Sequence, residues 1–255
     1  MDWTFVQKFT PMYVKAAGLT LRIAAIGIVL SMVVGLLCCI VQSLRIPVLR
    51  RVAAVYIELA RNTPLLVQLF FLYFGLPKIG IKLDSESCAI IGLTFLGGAY
   101  MAEALRSGLE AVELSQREAG ACIGLTSLQN LRYVILPQAL ATAIPALCAN
   151  VIFLIKETSV FSAVALADLM YVAKDLIGMY YKTDEALMML VAAYLDLRGD
   201  LLSVLFHLLA HLPPGAQAGG EVAESGGIGY GGKAVGAARA HQALRSGADI
   251  ERNFL

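Results

Sequence analysis

Charged side chains interrupt otherwise apolar stretches of this sequence, and they are the first residues that could carry chemistry. Glu58 and Arg61 are three positions apart, and so are Glu103 and Arg106. A helix places residues at this spacing on one face, so each pair predicts an ion pair within a helix. The alternative is that these four side chains, with the neighbouring Asn62, line a path for a polar solute, because charges within apolar segments are costly and often mark such paths.

A third polar group follows a long apolar run that begins at Gln138. With a rise of 1.5 Å per residue, a helix would place this group about 26–32 Å from its start. We expect this group to line the outer part of a solute path or, alternatively, to stabilise an irregular helix end. In the middle of the same run, Asn150 is predicted to form a hydrogen bond between helices. The four residues of the group are Lys156, Glu157, Thr158 and Ser159.

No set of residues in the sequence suggests catalysis. The apolar stretches contain no nucleophile–base pair and no cluster of metal ligands, and the GxxxxGK[ST] phosphate loop of ATPases is absent from the sequence. His207 and His211 are four residues apart, but no Glu completes an HExxH motif, so no metal site is predicted. We therefore expect no enzyme activity and no cofactor. The cysteines form no CxxC pair and are predicted to pack as small apolar residues: Cys38, Cys39, Cys88, Cys122 and Cys148.

The composition indicates a membrane protein. Hydrophobic residues make up 58% of the 255 residues, charged residues only 15%, and the mean hydropathy is +0.73. Soluble domains are typically about 45–50% apolar and about 25% charged. The net charge of +1 and the scattered arginines predict no nucleic-acid partner. Residues 1–17 are predicted to form a short N-terminal segment and not a cleaved signal, because no basic cluster precedes the first apolar run.

Apolar runs of about 20 residues are needed to cross a bilayer as helices. The sequence therefore predicts an all-α, polytopic membrane protein with about five spans. The second run is short and gains length from the helix before it, while the fifth is atypical because it is interrupted by charges. The runs begin and end near residues 18–41, 63–77, 88–102, 138–155 and 186–195.

The connecting segments predict the orientation of these spans. Segments 43–51 and 106–137 each contain three Lys or Arg residues, whereas segments 75–87 and 166–185 each contain two. Positively charged connections favour the cytoplasm. The excess therefore predicts that the first two segments are cytoplasmic and that the N-terminus is outside.

Residues 107–137, named here the EAA loop, are predicted to form a helix, a sharp turn and a second helix. A patch of small residues follows Glu118, and Gly124 then breaks the helix. Thr126 or Ser127 is a suitable N-cap for the next helix, and Pro137 suits the first turn of the helix after it. Small residues allow another backbone to approach closely, although a surface helix with incidental alanines would show the same composition.

The stretch EAGACIGLTSLQNLRYVILP resembles the EAA motif of the permeases of ABC-type importers. Gly120 stands where the motif usually has its second alanine, a change that keeps the position small. The residues that carry the resemblance are Glu118, Ala119, Gly120, Gly124, Val134, Leu136 and Pro137.

The resemblance extends over about residues 18–195. YIELARNTPLLVQLFFLYFGLP, GAYMAEALRSGLEAVELSQREA and LIKETSV are similar to stretches of the polar amino acid uptake branch of binding-protein-dependent transport inner-membrane components. Asn62 stands where that branch commonly has glycine. A secondary transporter or channel without an ATPase is the alternative, but it predicts inverted repeats that the sequence does not show and leaves the EAA loop unexplained.

The resemblance implies a function. Permeases of this family are multi-pass proteins of the bacterial inner membrane, pair with a second permease subunit and rest on two ATP-hydrolysing subunits. An extracytoplasmic solute-binding protein delivers the substrate, here a polar amino acid. In the family the EAA helix is a cytoplasmic coupling helix, which implies that Glu118 meets the ATPase, that Ala119, Gly120 and Ala121 permit close approach, and that Gly124 forms the turn.

The C-terminal residues 196–255 depart from the family pattern. Asp196, Arg198 and Asp200 interrupt the fifth apolar run after about ten residues, so we expect that run to insert poorly and the protein to be defective in transport. Residues 214–255 lack a periodic apolar pattern and are predicted to be disordered. Either a reading-frame shift near codons 195–196 or a divergent extension would produce such a tail.

Overall fold

The structure is a computed structural model that describes residues 2–43 and 46–210 of the chain. The predicted disorder of residues 214–255 and the side chains of the His207–His211 pair lie outside this description. Nearly all of the described residues are helical, and no strand occurs among them, which confirms the all-α prediction.

The helices are numbered in chain order. Short π-helical turns follow α3 and α6, at Phe71–Gly75 and Leu131–Ile135, and short 3₁₀ helices cover Leu76–Ile79 and Thr158–Val164. The α-helices are α1 (Trp3–Ser43), α2 (Pro47–Asn62), α3 (Leu65–Phe70), α4 (Ser85–Glu110), α5 (Leu114–Cys122), α6 (Ser127–Asn130), α7 (Leu136–Glu157), α8 (Leu169–Tyr180) and α9 (Thr183–Ala210).

Three described helical segments are long and apolar enough to cross a membrane. They are Trp3–Ser43, Ser85–Glu110 and Ser127–Val164. A fourth crossing is possible if the bent pair of Pro47–Asn62 and Leu65–Ile79 is one span. The predicted polytopic architecture is therefore present, with three or four spans by length and composition among the residues described.

The second span is broken, whereas the sequence predicted a run lengthened by the preceding helix. The axes on either side of the break differ by 104°. Thr63 has extended backbone angles (φ −110°, ψ 130°), because a residue before proline is disfavoured in the α region. Pro64 then caps the start of α3. The break is thus local in origin.

The first 17 residues do not form a separate segment, contrary to the prediction, because they belong to α1. Pro11 lies inside this helix, where proline ordinarily costs about 3 kcal/mol. Packing offsets that cost, since Phe5 and Tyr13 are buried against α8 and α9. The Tyr13 hydroxyl also donates a hydrogen bond of 2.8 Å to the carbonyl of Ala186 in α9.

The core forms where α1 crosses α4. Gly27, Ser31 and Gly35 lie four residues apart on the buried face of α1, and a Cβ at Gly27 would lie 2.7 Å from Leu93. The Ser31 hydroxyl donates to the Leu93 carbonyl at 3.2 Å. Small residues at this spacing let helix backbones approach closely in membranes. The spacing of these small residues was visible in the sequence but was not among the features predicted above.

Helix α9 runs through the predicted boundary at residues 195/196 and continues to Ala210. Its charges do not end the helix, because Arg and Asp are compatible with helical backbone even where a bilayer would reject them. α9 is not among the helices apolar enough to span a membrane. The charges therefore interrupt the apolar length and not the helix itself.

Candidate functional site

The EAA loop has the predicted helix–turn–helix form. Gly124 has φ +84°, a left-handed conformation that L side chains rarely adopt. Its N–H donates to the Ala121 carbonyl at 3.0 Å, and the N–H of Leu125 donates to the Gly120 carbonyl at 3.2 Å. These two bonds form a Schellman C-cap, which ends α5 and turns the chain sharply.

The next helix begins at the predicted N-cap. The Thr126 hydroxyl accepts from the Gln129 N–H at 3.4 Å, while the Gln129 side chain accepts from the Thr126 N–H at 2.9 Å, which completes a capping box. Pro137 is the second residue of α7, as predicted. The π-helical turn before it joins α6 to α7, so the loop leads directly into a membrane-spanning helix.

The outer surface of the EAA loop is exposed and partly apolar. Glu118, Ala119 and Ala121 are exposed, and so are Leu136 and Pro137, whereas Val134 is half-buried. Large apolar side chains project beside them, with exposed fractions of 66% to 77%. These side chains are Leu114, Ile123 and Leu128.

Gly120 does not lie on that exposed surface. The resemblance implied that it lets a partner approach, but it is buried against Asn130 of the same chain. The expectation for Gly120 therefore requires correction. The close approach that it permits is between α5 and α6 of the same chain, where no space remains for a methyl group.

The charged residues of α2 and α4 surround a polar cavity of about 460 Å³. It opens between α1, α2 and α4, and all five predicted residues of this group line it together with Tyr100. The lining residues are Gln42, Ala54, Ile57, Glu58, Arg61, Asn62, Tyr100, Glu103 and Arg106.

One of the two predicted ion pairs is present. The Arg106 guanidinium pairs with Glu103 through Nε, at 3.2 Å, and through Nη2, and it also contacts Glu110 at 2.5 Å. The predicted pair of Glu58 with Arg61 is wrong. Arg61 reaches across to Glu103 of α4 instead, at 3.9 Å, because the neighbouring helix presents a carboxylate that already lies beside it.

Arg61 is further positioned by an aromatic ring, since its guanidinium carbon lies 5.4 Å from the centre of the Tyr100 ring. The Asn62 amide donates to the Glu58 carbonyl at 2.8 Å, so Asn62 satisfies a backbone acceptor in the last turn of α2. Among the ion pairs of the described residues, none includes Glu58. The cavity thus contains side chains of both charges, and the Glu58 carboxylate has no ion-pair partner among the described residues.

The third predicted group is divided by the structure. Lys156 and Ser159 line a separate cavity of about 380 Å³ between α7 and α9, together with Tyr194. Thr158 is buried and donates to the Ile155 carbonyl at 2.7 Å, where α7 gives way to the 3₁₀ helix. Glu157 is half-buried. Thr158 therefore supports the alternative that this segment secures an irregular helix end.

Two further predictions concern packing. The Asn150 side chain donates to the Tyr100 carbonyl at 3.0 Å, so the predicted hydrogen bond between α7 and α4 is confirmed. Cys38 is half-buried and three other cysteines are buried, but Cys122 is exposed on the EAA loop, contrary to the prediction that all five pack. No group of three or more potential metal ligands occurs within the described residues.

Asp168 is a buried acid that the sequence analysis missed. It caps α8 by accepting a hydrogen bond of 2.9 Å from the Tyr171 N–H, and its other carboxylate oxygen, Oδ2, has no partner among the described residues. Desolvation by burial raises the pKa of Asp168 to about 6. An acid directly before an apolar helical run is a recognisable N-cap pattern, but its burial depends on the packing of distant helices.

Known proteins resemble this chain over most of its length. Residues 27–197 match the family described as "Binding-protein-dependent transport system inner membrane component". The chain is 36% identical over 196 residues to "Probable amino-acid ABC transporter permease protein PatM" of Vibrio harveyi, covering 76% of this chain and 88% of that protein. It is 33% identical over 186 residues to "Glutamine transport system permease protein GlnP" of Escherichia coli (strain K12), covering 72% and 85%.

Solved structures agree with these relatives. A crystal structure of an amino acid ABC transporter with histidines matches with a TM-score of 0.78 and 30% identity, over 83% of this chain and 99% of that one. An inward-facing structure of the MetNI methionine ABC transporter matches with a TM-score of 0.59 and 20% identity, over 78% and 97%. The second likeness supports the fold alone.

Proposed function

The chain belongs to the binding-protein-dependent transport system inner membrane components, and from this premise we propose that it forms the path by which an ATP-driven importer carries a polar amino acid. Members of this family are membrane transport subunits and not enzymes, and ATP hydrolysis belongs to a partner subunit. Membership also implies a solute-binding protein as a partner.

The polar cavity between α1, α2 and α4 carries the proposal for the substrate. An amino acid presents a carboxylate and an ammonium group, and the cavity offers Arg61 for the first and Glu58 for the second. Its volume of about 460 Å³ lies within the range of about 300–1,000 Å³ typical of small-molecule sites. Relatives named for amino-acid and glutamine transport support this substrate class.

Glu103 and Arg106 have a different role in this proposal. They pair with each other, and Glu103 also holds Arg61, so they fix the position of the cation that faces the solute. Lys156 and Ser159 line the outer part of the route at the second cavity, while Glu157 and Thr158 belong to the irregular end of α7.

The EAA loop is proposed as the ATPase contact. Glu118, Ala119 and Ala121 are exposed beside large apolar side chains, a combination typical of a surface that another protein covers. ATP-driven closure of the ATPase pair would shift the docked loop and thereby favour one of two conformations of the membrane helices. In this proposal the loop lies in the cytoplasm and the N-terminus outside, in a bacterial inner membrane, with a second permease subunit alongside.

The substrate is tested by uptake. A strain that lacks this gene is complemented with the protein or its variants, and uptake of labelled polar amino acids is measured at equal amounts of membrane protein. Arg61→Met is expected to reduce uptake at least about tenfold, because a charge-assisted contact contributes about 1.5–3 kcal/mol. Loss of sugar or metal uptake in the deletion strain, with amino acid uptake unchanged, would contradict the proposal.

The matched control is Arg22→Met. Arg22 forms an ion pair with Glu86 at 2.5 Å, but both side chains are about half exposed and lie away from the cavity lining. Exposed pairs contribute about 0–1 kcal/mol, so uptake should stay within about twofold of the unmodified protein. An equal loss in both arginine variants would argue against a specific role for the cavity.

The ATPase contact is tested by crosslinking. Cys122 is exposed on the EAA loop and supplies a native attachment point. A thiol-reactive crosslinker should join the loop to the ATPase subunit in membranes that contain both, and Cys122→Ser should abolish that product. Crosslinks that form only to other membrane subunits would contradict docking through this loop.

A further inference from the structure

Asn130 lies between the two helices of the EAA loop and is almost fully buried, with 9% of its surface exposed. Its side-chain amide donates to the Arg117 carbonyl in α5 at 2.7 Å. Gly120 lies opposite, where an added Cβ would overlap Asn130 Oδ1 and lie 2.8 Å from its Cγ. Asn130 therefore occupies the space that an alanine at position 120 would need.

Arg117 extends the same connection towards α4. Its guanidinium Nη2 donates to the Leu109 carbonyl at 2.7 Å, next to the last residue of α4. Two side chains thus join three elements in series, from α4 to α5 and from α5 to α6. Because α6 continues through the π-helical turn into α7, the series links the exposed helix α5 to both of the long helices that flank it.

We infer that Arg117 and Asn130 are positioning residues that transmit movements of α5 to α4 and α7, and that glycine at position 120 is required because Asn130 fills the adjacent space. The inference rests on the proposed docking of the EAA loop to an ATPase. Neither Arg117 nor Asn130 belongs to the motif positions, so the resemblance to the family does not assign them this role.

The physical reason is mechanical. The backbone segments on either side of α5, at 111–113 and 123–126, are only a few residues long and contain no helical residue. Without side-chain bonds, a docked α5 could tilt about these segments while α4 and α7 stay in place. ATP would then be hydrolysed without a change in the membrane helices. Coupling needs an element with two arrangements, and both the ATPase contact and the membrane helices must shift the balance between them.

The test uses the complete importer, with its ATPase and binding protein, reconstituted in liposomes. The ratio of ATP hydrolysed to amino acid transported is measured together with the thermal stability of the complex. Asn130→Ala should raise this ratio about threefold to tenfold, the range that loss of one hydrogen bond supports. Arg117→Met, which keeps the alkyl stem but removes the donor, should raise it in the same direction.

The pair of positions is tested by rescue. Gly120→Ala should uncouple transport more than Asn130→Ala does, because the new methyl group overlaps Asn130. The double variant Gly120→Ala/Asn130→Ala should be better coupled than Gly120→Ala alone, since the smaller side chain frees the space. Gly178→Ala, at an exposed position of α8 where an added Cβ meets no atom within 4 Å, is the control and should leave the ratio unchanged.

An unchanged ratio in Asn130→Ala and Arg117→Met, relative to the unmodified protein, would overturn the inference and leave the proposed function intact. A double variant no better coupled than Gly120→Ala would also overturn it. An unmodified protein that fails to bind the ATPase, or that transports no amino acid even after Asp196, Arg198 and Asp200 are replaced by leucine, would overturn the proposed function itself. A merely structural role would lower the stability of the complex without altering the ratio, which also counts against the inference.

Discussion

In the EAA loop a few residues determine where the helices end, whereas in helix α9 a cluster of charges leaves the helix continuous. In the loop, one glycine in the left-handed region and one capping box determine where α5 ends and α6 begins. In α9, three charges within five residues leave the helix continuous but remove it from the helices that can span a membrane. Helix formation is a local property of the backbone, whereas crossing a bilayer depends on about 20 consecutive side chains.

The first half of α9 is held against α1 by hydrogen bonds and by buried apolar side chains. The Asp2 N–H donates to the Glu185 carboxylate at 3.0 Å, and Tyr13 bonds the Ala186 carbonyl. Met189 and Leu190 are buried in the same cluster as Phe5 and Tyr13 of α1. α9 can therefore dock against α1 even where its later residues do not suit a bilayer.

The largest expected effect is in the EAA loop, where Gly124→Trp should abolish uptake while leaving membrane insertion intact. Tryptophan at φ +84° is strained, so the Schellman turn would be lost and α5 displaced. Gly178→Trp is the control, because Gly178 is exposed in α8 and an added Cβ there meets no atom within 4 Å. Normal uptake by Gly124→Trp would show that coupling does not depend on this turn.

The second effect concerns α9, where replacing Asp196, Arg198 and Asp200 together by leucine should increase both the amount of protein in the membrane and its uptake. Each charge at the centre of a span costs about 2.5 to 3.5 kcal/mol. A topology reporter fused after Leu255 should move from the outside to the cytoplasm on this change. Asp184→Leu, at the exposed start of α9, is the control and should not move it.

A cytoplasmic reporter together with normal uptake in the unaltered protein would show that α9 crosses the membrane despite its charges. The family match ends at residue 197, as expected either for a reading-frame shift near codons 195–196 or for a divergent extension. Resequencing the gene tests this separately. If the next frame encodes no apolar continuation that ends in basic residues, the frame-shift proposal fails.

A smaller effect is expected where α1 holds α9. Tyr13→Phe removes the hydrogen bond to the Ala186 carbonyl and should lower stability by about 1 kcal/mol, the usual contribution of one such bond. The thermal midpoint of the purified protein in detergent measures this loss. Tyr181→Phe is the control, since Tyr181 is 88% exposed. Equal midpoints for the two variants would mean that the bond contributes nothing to docking.

The sequence was informative where neighbouring residues decide the structure. The turn at Gly124, the cap at Thr126 and the pair of Glu103 with Arg106 all depend on residues within five positions, and each was predictable. The partner of Arg61 was not, because it lies on another helix. Spacing shows which pairs a helix permits, but a competing carboxylate on α4 changes the outcome.

Other features depended on packing that no local pattern reveals. Residues 1–17 were predicted to form a separate segment, yet burial against α8 and α9 keeps α1 intact through Pro11. The fit of Gly120 to Asn130 requires the positions of two helices at once. The break before Pro64 was accessible from sequence, since a residue before proline avoids the helical region.

The last expected effect depends on pH and compares two helix caps. Asp168 is fully buried at the start of α8, and burial raises its pKa to about 6 from an ordinary value of 3.8. Asp84 caps α4 at an exposed position, and hydrogen bonds from Ser87 hold its pKa below the ordinary value. The same residue in the same role thus acquires opposite shifts from its surroundings.

The two shifts predict opposite dependences of stability on pH. A raised pKa in the folded state means that ionisation of Asp168 opposes folding. The protonated carboxyl group therefore contributes about 3 kcal/mol to the free energy of unfolding below about pH 4, and this contribution is lost as the pH rises to about 6. Asp168→Asn keeps the cap acceptor but cannot ionise, so the thermal midpoint in detergent should no longer fall between pH 4 and 6.5 and should exceed that of the unmodified protein at neutral pH. For Asp84 the contribution is present above about pH 4 and lost on acidification, so Asp84→Asn should remove stability at neutral pH instead. A midpoint that falls equally between pH 4 and 6.5 in the unmodified protein and in Asp168→Asn would assign the pH dependence to other groups and remove Asp168 as its source.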